Sequence, residues 1–194
     1  MPHKAAKKTK NKIVNAAWKL FYEQGYEDTT VEDIIEASGT SKGSFYHYFE
    51  GKDSLLSTLA DMFDQKYEEL KLTIDPLQNR YEVLLFLNEQ LFSMIEETID
   101  FSLLGRLYST QIITRGQRHL LDYSRVYYKL LKSIMMEGKE RGELSDGMTI
   151  SEMVKFYALC ERALLYDWCL CNGEYSLCEY AKQTMPMFLM KLKK

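Results

Sequence analysis

Apolar residues near the start of the chain recur with the spacing of an amphipathic α-helix. They occupy positions i, i+3, i+4, i+7 and i+8 of one helix face, a stripe that packs against a core. The stripe consists of Ile13, Ala16, Ala17, Leu20 and Phe21. It predicts a helix from about Thr9 to Gln24, which ends at Gly25 because glycine readily adopts the left-handed conformation that terminates helices.

Two shorter helices are predicted next, and each begins at a residue type that caps helix N-termini. Thr30 is followed three residues later by Asp33, the pattern of a capping box, and Ser41 can cap the following helix. Gly39 lies in the short turn between them, so the pair has the layout of a helix-turn-helix. Their apolar residues are expected to face each other, namely Val31, Ile34 and Ile35 against Phe45 and Phe49.

The outward face of the third helix is small and polar at its start and aromatic further along. Gly43 and His47 lie at its centre and Ser44 and Tyr46 at its flanks, without an acidic residue. A DNA-recognition helix has this profile, because its N-terminal half approaches base edges and its hydroxyl groups meet phosphates. Small three-helix units also occur in proteins that do not bind DNA, so the spacing alone leaves both functions open.

The rest of the chain shows helical patterns and no strand pattern. Ten glycines and three prolines in 194 residues provide few of the turns that an all-β fold needs. We expect helices over about 53–72, 76–99, 101–113, 117–139 and 149–171, and a last one from 176 onward. The expected N-caps are Asp75 (before Pro76), Asp100, Thr149 and Ser176, with a break at Arg115–Gly116 and a kink at Pro186. The sequence therefore predicts an all-α protein.

Charge is distributed unevenly, although the formal net charge is only −3. Residues 1–22 contain six lysines and no acidic residue. Such a segment is either a solvated tail or a basic arm that meets DNA phosphates. No apolar run exceeds five residues and no signal-peptide pattern is present, so we expect a cytoplasmic protein without a membrane partner.

The sequence lacks the common patterns of metal sites and enzymes. The cysteines, Cys160, Cys169, Cys171 and Cys178, contain no C-x-x-C pair and have no histidine nearby, so we interpret them as small buried apolar residues. H-E-x-x-H, phosphate-loop and G-x-S-x-G motifs are also missing. We therefore expect no metal, no cofactor and no enzymatic activity.

The segment from Gly25 to Leu56 closely resembles the DNA-binding domain of TetR-family transcriptional regulators. The resemblance covers roughly residues 9–56 and rests on the helix spacing and on individual residues: Gly25, Thr30, Gly39, Gly43, Tyr46, Tyr48, Phe49 and Lys52. It implies a helix-turn-helix domain over residues 1–52, with a basic arm at 1–8. Residues 53–194 are then a helical bundle for ligand binding and dimerisation.

The resemblance also implies a role for each residue of the DNA-binding set. That set is Thr30, Lys42, Gly43, Ser44, Tyr46, His47, Tyr48 and Lys52. Thr30, Tyr48 and Lys52 match positions that meet phosphates, and His47 matches a variable base-reading position. Two alternatives stay open, a core role for Tyr48 and a merely solvated Lys52. Glu32 departs from members that carry a basic residue at that position.

In the second domain, the resemblance implies a ligand cavity and a dimer interface formed by the last two long helices. Tyrosine and methionine walls suit a small apolar or aromatic ligand. The expected lining is Met62, Phe63, Phe86, Tyr108, Tyr123, Tyr127, Glu161 and Tyr166, and the expected interface is Leu164, Leu177, Met185 and Phe188. Glu161 and Arg162 are either polar contacts for the ligand or a surface ion pair.

These expectations combine into one function. The resemblance implies a homodimeric, DNA-binding transcriptional regulator, a repressor that a small, largely apolar ligand releases from a palindromic operator on double-stranded DNA. The alternative is a helical adaptor that binds protein and has no small-molecule ligand.

Overall fold

The computed structural model describes residues 2–113 and 118–194, with side chains from residue 8 onward, and its elements are helices. Within those ranges, the one pairing of extended backbone is an isolated bridge between Leu144 and Lys193. This confirms the all-α fold expected from the sequence. The chain divides between Leu59 and Ala60 into two compact units. The domain boundary expected after Lys52 stays a prediction.

The first unit contains α1 (Pro2–Gln24), α2 (Val31–Ser38), α3 (Lys42–Tyr48) and α4 (Lys52–Leu55). Its core includes Phe21, Ile34, Phe45 and Phe49, all of which are buried. Of the positions predicted to face inward from α2 and α3, Ile34, Phe45 and Phe49 are buried, whereas Val31 and Ile35 are half-buried.

Side-chain caps fix the ends of α2 and α3. The Thr30 hydroxyl accepts a hydrogen bond from the amide of Asp33 at 3.1 Å, and the Asp33 carboxylate accepts one from the amide of Thr30 at 2.8 Å. Gly39 follows α2 with a φ of +60°, and Ser41 accepts a bond from the amide of Ser44 at 3.1 Å. The capping box and the turn are thus as predicted, and together they preset the start of α3.

The second unit is a helical bundle. Its helices are α5 (Thr58–Lys71), α6 (Arg80–Thr98), α7 (Phe101–Ile113), α8 (Val126–Glu140), α9 (Ile150–Leu170) and α10 (Leu177–Phe188), with short 3-10 turns at His119–Leu121 and Leu189–Leu192. Helix α6 packs against α8 and α10, and α9 packs against α7, α8 and α10. The division between the units falls within α5, near its first residues.

The single helix expected over residues 53–72 is wrong, because the helix is interrupted after Leu55. The hydroxyl of Thr58 donates to the carbonyl of Leu55 at 2.6 Å and accepts the indole N–H of Trp18 at 2.9 Å. Ser57 likewise donates to the carbonyl of Ser54 at 2.6 Å. Side chains that bond to the preceding carbonyls compete with the helical pattern, so two helices form instead of one.

Two other predicted helix starts are also wrong. Asp75 forms a turn by accepting from the amide of Leu77 at 2.8 Å, and α6 is capped by Asn79 instead. Helix α8 begins at Val126 and not near residue 117, because residues 119–121 form a 3-10 turn. The predicted break at Arg115–Gly116 lies outside the described residues.

The later start signals agree better with the structure. Asp100 accepts from the amide of Ser102 at 2.8 Å, and Thr149 and Glu152 form a complete capping box. Ser176 caps α10 by accepting from the amide of Glu179 at 3.3 Å. Pro186 lies inside α10, which continues to Phe188 before the chain tightens into the 3-10 turn.

Candidate DNA-binding surface and ligand cavity

The outer face of α3 is open to solvent. Lys42, Gly43, Tyr46 and His47 are exposed, with Tyr46 48% accessible, and Ser44 and Tyr48 are half-buried. The predicted DNA-binding residues of α3 therefore share one accessible face, and Tyr48 belongs partly to the core. The His47 ring lies edge-on to Tyr48, with ring centres 4.8 Å apart, so Tyr48 supports the orientation of its neighbour.

Gly43 is a glycine that the fold itself does not require. It lies within α3, and a Cβ at this position would meet only the Ser41 hydroxyl at 4.0 Å, an ordinary contact. Glycine in a helix costs up to about 1 kcal/mol relative to alanine. Since no internal contact explains the missing side chain, the free space suits a partner that approaches the helix backbone closely.

Lys42 and Glu32 form an ion pair across the two helices of the motif. Their charged atoms are 3.3 Å apart, and both side chains are about two-thirds exposed, at 69% and 68%. An exposed pair of this kind contributes little to stability, so the Lys42 ammonium can exchange Glu32 for a phosphate. Glu32 thus has a defined ionic partner in the structure. The sequence analysis noted only that other members carry a basic residue at this position, and it did not predict the pair.

Lys52, at the start of α4, is bound to the loop that precedes α2. Its ammonium donates to the carbonyls of Tyr26 and Glu27, the latter at 3.3 Å, and lies 4.3 Å from the centre of the Tyr26 ring. The Tyr26 hydroxyl donates to Asp53. Lys52 is therefore half-buried and fixed in place, so it is not a freely solvated side chain.

Positive charge in the first unit is concentrated on α1. Residues 23–59 carry eight acidic residues and two lysines, Lys42 and Lys52, whereas residues 1–22 carry six lysines and no acid. The ammonium of Lys10 lies 5.9 Å from the centre of the Phe49 ring, next to the end of α3. The lysines of the first unit are therefore those of α1 together with Lys42 and Lys52.

The second unit contains a cavity of about 50 Å³ between its helices, which is partly open to the surface and is called the internal cavity below. Four of the residues expected to line it do so, and they are Phe63, Tyr108, Tyr127 and Glu161. Sequence reasoning missed several others: Tyr67, Leu91, Leu120, Arg125, Ala158 and Leu165. Tyr67 could have been found from its spacing, because it lies one helical turn after Phe63 on α5.

The other four expected lining residues lie elsewhere. Tyr123 is 58% exposed and stacks on Tyr128 with ring centres 4.5 Å apart. Phe86 lines a separate cavity between α6 and α10, and Tyr166 lines a surface cavity with α7. Met62 is half-buried on α5 and is not among the residues around the internal cavity. Composition and the resemblance made these large side chains candidates, but neither specifies the direction in which each side chain points.

Glu161 is buried at the cavity wall, with 4% of its surface exposed. The hydroxyl of Tyr127 donates to its Oε2 at 2.6 Å, and the Asn88 amide donates to its Oε1 at 3.1 Å. Burial raises the pKa of the Glu161 carboxyl, against the lowering effect of these hydrogen bonds. Glu161 therefore does not form the surface ion pair that was one of its two possible roles.

Two arginines also border the cavity, and they differ in their partners. Arg125 makes a bidentate contact with Asp64, at 3.1 and 2.9 Å, and donates to the carbonyl of Ala60. Arg162 is half-buried and donates to the Tyr128 hydroxyl at 3.4 Å. The charge of Arg125 is therefore matched by Asp64, whereas Arg162 has a neutral partner at that contact.

The expected interface residues are mostly used inside the protomer. Leu164, Leu177 and Met185 are buried in its own core, and only Phe188 of the four is exposed. The apolar side chains that α9 and α10 present to solvent are different. This exposed stripe comprises Leu159, Ala163, Tyr166 and Leu170 on α9, and Tyr180, Met187 and Phe188 on α10.

The Cys160 and Cys169 thiols lie in surroundings that disfavour the thiolate form. Burial raises the pKa of the Cys160 and Cys169 thiols to about 11, so both stay protonated at neutral pH. Residues 2–113 and 118–194 contain no cluster of three or more metal-ligating side chains. In the same ranges, no helix combines the length and the apolar character needed to cross a bilayer.

Comparison with known proteins links this arrangement to bacterial regulators. Residues 13–59 match the model of the bacterial regulatory proteins of the tetR family. The transcriptional regulator QacR of Staphylococcus aureus is 29% identical over 154 residues, 74% of this chain and 79% of that protein. The fatty acid metabolism regulator protein of Bacillus subtilis is 24% identical over 71% of this chain and 72% of its own. The structure of Bacillus subtilis FadR in complex with stearoyl-CoA shares the fold, with a TM-score of 0.71, 19% identity, and coverage of 93% and 98%.

Proposed function

We propose that this chain, which is a TetR-family transcriptional regulator, is a cytoplasmic repressor that leaves its operator when a small molecule binds in the second unit. The DNA-binding residues are those of the exposed α3 face with Thr30 and Lys52. Lys42, Lys52 and the lysines of α1 contact phosphates, while Tyr46 and His47 reach base edges in the major groove.

One observation carries the proposal, and it is the open backbone at Gly43. A helix that presents glycine, small hydroxyls and aromatic tips on one exposed face can approach the floor of a groove closely. Below this face lies an apolar core in which Phe45 and Phe49 are buried. The helix also carries no acidic residue, which suits a surface that meets the negatively charged DNA backbone.

Homodimerisation supplies the second half of the operator contact. We assign the interface to the exposed stripe of α9 and α10, because apolar side chains at helical spacing on two adjacent helices form a four-helix contact with a second copy. A two-fold dimer presents two copies of α3. Such dimers bind half-sites whose centres are about 34–36 Å apart along the DNA, which makes the operator palindromic.

Release follows from a shift between conformations. A ligand that binds better to the conformer with low DNA affinity lowers operator occupancy, and by linkage DNA weakens ligand binding by the same factor, typically about 5–150-fold. Helix α5 carries Phe63 and Tyr67 of the cavity and begins at Thr58 in the first unit. A ligand that displaces α5 therefore acts on the segment that leads directly into the DNA-binding unit.

A reporter gene tests this function. Its promoter carries the DNA sequence that the protein selects from a random pool, and expression is measured with and without the protein. We expect the wild-type chain to lower expression and Tyr46→Ala to restore it. Tyr22→Ala, which changes an exposed tyrosine on α1, is the matched control and should still repress. Equal repression by the two variants would exclude the α3 face as the DNA-binding surface.

A further inference from the structure

We infer that the internal cavity recognises a protonated amine on an otherwise apolar molecule, with Glu161 as its counter-ion and the Tyr67 hydroxyl as a second polar contact. This inference rests on the ligand-responsive function proposed above and specifies the chemistry of its ligand. It is carried by a buried carboxylate, an unpartnered buried hydroxyl and the aromatic rings between them.

The first step concerns the charge of Glu161. Tyr127 and Asn88 satisfy its oxygens with hydrogen bonds, but both are neutral groups. In the described ranges, 2–113 and 118–194, no lysine, arginine or histidine forms an ion pair with this carboxylate. A buried carboxylate without a cation is energetically costly. A cation that enters the cavity therefore gains more interaction energy from Glu161 than it would from a carboxylate in water.

The two neighbouring arginines do not provide that cation. Arg125 is held by both oxygens of Asp64. Arg162 is half-buried, and its hydrogen bond goes to the hydroxyl of Tyr128. Arg162 also lines the cavity, so its positive charge opposes an incoming amine. Removal of the Arg162 charge should therefore strengthen the binding of an amine.

The second step concerns Tyr67. Its side chain is 1% exposed and lines the cavity, and its hydroxyl makes no hydrogen bond of normal geometry with a described residue. Burial and the nearby charge of Glu161 raise the pKa of this hydroxyl. A buried hydroxyl without a partner costs free energy that folded proteins seldom leave uncompensated. An ammonium group has several N–H donors, so it can bond to the Glu161 carboxylate and to the Tyr67 hydroxyl together.

The rings around these groups favour a cation as well. The centres of the Tyr67 and Tyr127 rings are 5.0 Å apart, and Phe63 and Tyr108 complete the aromatic wall. Ring faces attract ammonium groups, more strongly where water is excluded. A fatty acyl chain in the same place would leave the Glu161 carboxylate and the Tyr67 hydroxyl against hydrocarbon. The cavity therefore does not suit the acyl chain of a ligand such as stearoyl-CoA.

Access to the cavity involves Tyr108. A space of about 50 Å³ is too small for a drug-sized molecule. Tyr108 also lines two cavities on the surface of about 330 Å³ each, and Leu120 and Arg162 line one of these two together with the internal cavity. Displacement of Tyr108 joins these spaces, so the amine enters beside α7.

The test compares three molecules that differ mainly in charge: phenylbutylamine, phenylbutanol and phenylbutyrate. Binding to the full chain is measured by calorimetry at neutral pH. We expect the amine to bind most tightly and the carboxylate least tightly. Glu161→Gln should weaken amine binding by at least about 30-fold, because the variant removes one partner of a buried charge pair, and should change the alcohol little. Failure of the amine to bind the wild type, or a tighter carboxylate, overturns the inference.

Two tyrosine variants separate ligand binding from folding. Tyr67→Phe should weaken amine binding roughly threefold to tenfold, the worth of one hydrogen bond, without lowering the melting temperature. Tyr81→Phe is the matched control, because Tyr81 is buried, does not line the cavity and donates its hydroxyl to the carbonyl of Pro186 at 3.3 Å. It should lower the melting temperature and leave amine affinity within about threefold. The reverse pattern would assign Tyr67 a purely structural role and overturn the inference.

Arg162→Gln gives the sign test and distinguishes the inference from the proposed function. The variant should bind phenylbutylamine more tightly and phenylbutyrate more weakly than the wild type does, whereas a site for anions predicts the opposite. Operator binding is then measured with the amine present. If the amine binds through Glu161 but the protein stays on the operator, the proposed ligand-responsive function is wrong and the inferred amine site is retained. If phenylbutyrate releases the operator and Glu161→Gln has no effect, the function survives and the amine inference fails.

Discussion

Gly43 lowers the stability of α3, and no contact within the protein compensates for this loss. We predict that Gly43→Ala raises the free energy of unfolding by up to about 1 kcal/mol, because alanine is the better helix former and its Cβ has room. The same variant should weaken operator binding at least tenfold, since the new methyl group stands between the helix and DNA. Urea unfolding and fluorescence anisotropy with labelled operator measure the two effects.

The control for this prediction is Gly138, a buried glycine of α8. A Cβ there would lie 2.6 Å from Leu144 Cδ1 and 3.0 Å from Arg80 Cβ. Gly138→Ala should therefore destabilise the protein by roughly 1–3 kcal/mol through overpacking. If Gly43→Ala binds the operator like the wild type, then the open space at position 43 has no part in DNA binding.

Glu161 should give the protein a pH-dependent stability of a defined sign. Burial raises its pKa in the folded state above the ordinary value of 4.5, so the folded state holds this proton more tightly than the unfolded state. The free energy of unfolding then falls as pH rises from the ordinary value through the raised one. In Glu161→Gln this fall should be smaller. Urea unfolding at a series of pH values tests it, and identical slopes for both proteins would contradict the assignment.

At the residue scale, sequence reasoning found the chemistry of the site better than its geometry. Glu161 and Tyr127 were expected at the cavity because the resemblance implies a ligand cavity in this region, which is rich in aromatic residues. Tyr123 and Tyr166 have the same composition signal, yet both face solvent. The difference depends on which neighbouring helix covers each residue, and a single helix pattern does not contain that information.

At the scale of elements, local capping residues were sufficient to predict a helix start wherever no contact with a distant helix changes it. The boxes at Thr30 and Thr149 formed as predicted because each involves residues three positions apart. The break after Leu55 depends on Trp18, forty residues earlier, and the start of α8 adjoins the contact of Arg125 with Asp64. These long-range contacts explain why the starts of α5 and α8 were not predicted.

Removal of a cap should have a local and measurable effect. We predict that Thr149→Ala destabilises the protein by about 1 kcal/mol, because the amide of Glu152 loses its acceptor at the start of α9. Thr184→Ala is the control, since its hydroxyl donates to a carbonyl inside α10 and caps nothing. Thermal unfolding of both variants is the measurement. Equal melting temperatures for the two would show that the box contributes no stability.

At the scale of the whole molecule, the sequence did not identify which apolar residues of α9 and α10 are exposed on the protomer. The sequence marks apolar residues on α9 and α10, but periodicity does not tell a side chain buried in the protomer from one covered by a second copy. Leu164 and Leu177 are buried in the protomer, whereas Leu159 and Leu170 are exposed on it. Only the three-dimensional packing separates them.

The exposed stripe leads to a prediction about assembly. Leu159→Glu combined with Leu170→Glu should convert the dimer into monomers, because two charges would be buried without partners at the interface. Helix content should remain, since both side chains are exposed in the protomer. Leu72→Glu, at an exposed leucine just after α5, is the control and should stay dimeric. Sedimentation measures the outcome, and a dimeric double variant would place the interface elsewhere.

The most direct test of DNA recognition by α3 is selection of binding sites from a pool of random duplex DNA. The wild-type protein should enrich a palindrome whose half-site centres are about 34–36 Å apart, or a multiple of that spacing. His47→Ala should relax the preference at one symmetric position in each half-site by about 1–3 kcal/mol and leave the other positions unchanged. An enriched sequence without two-fold symmetry, no enrichment at all, or a preference that His47→Ala leaves intact would contradict the account.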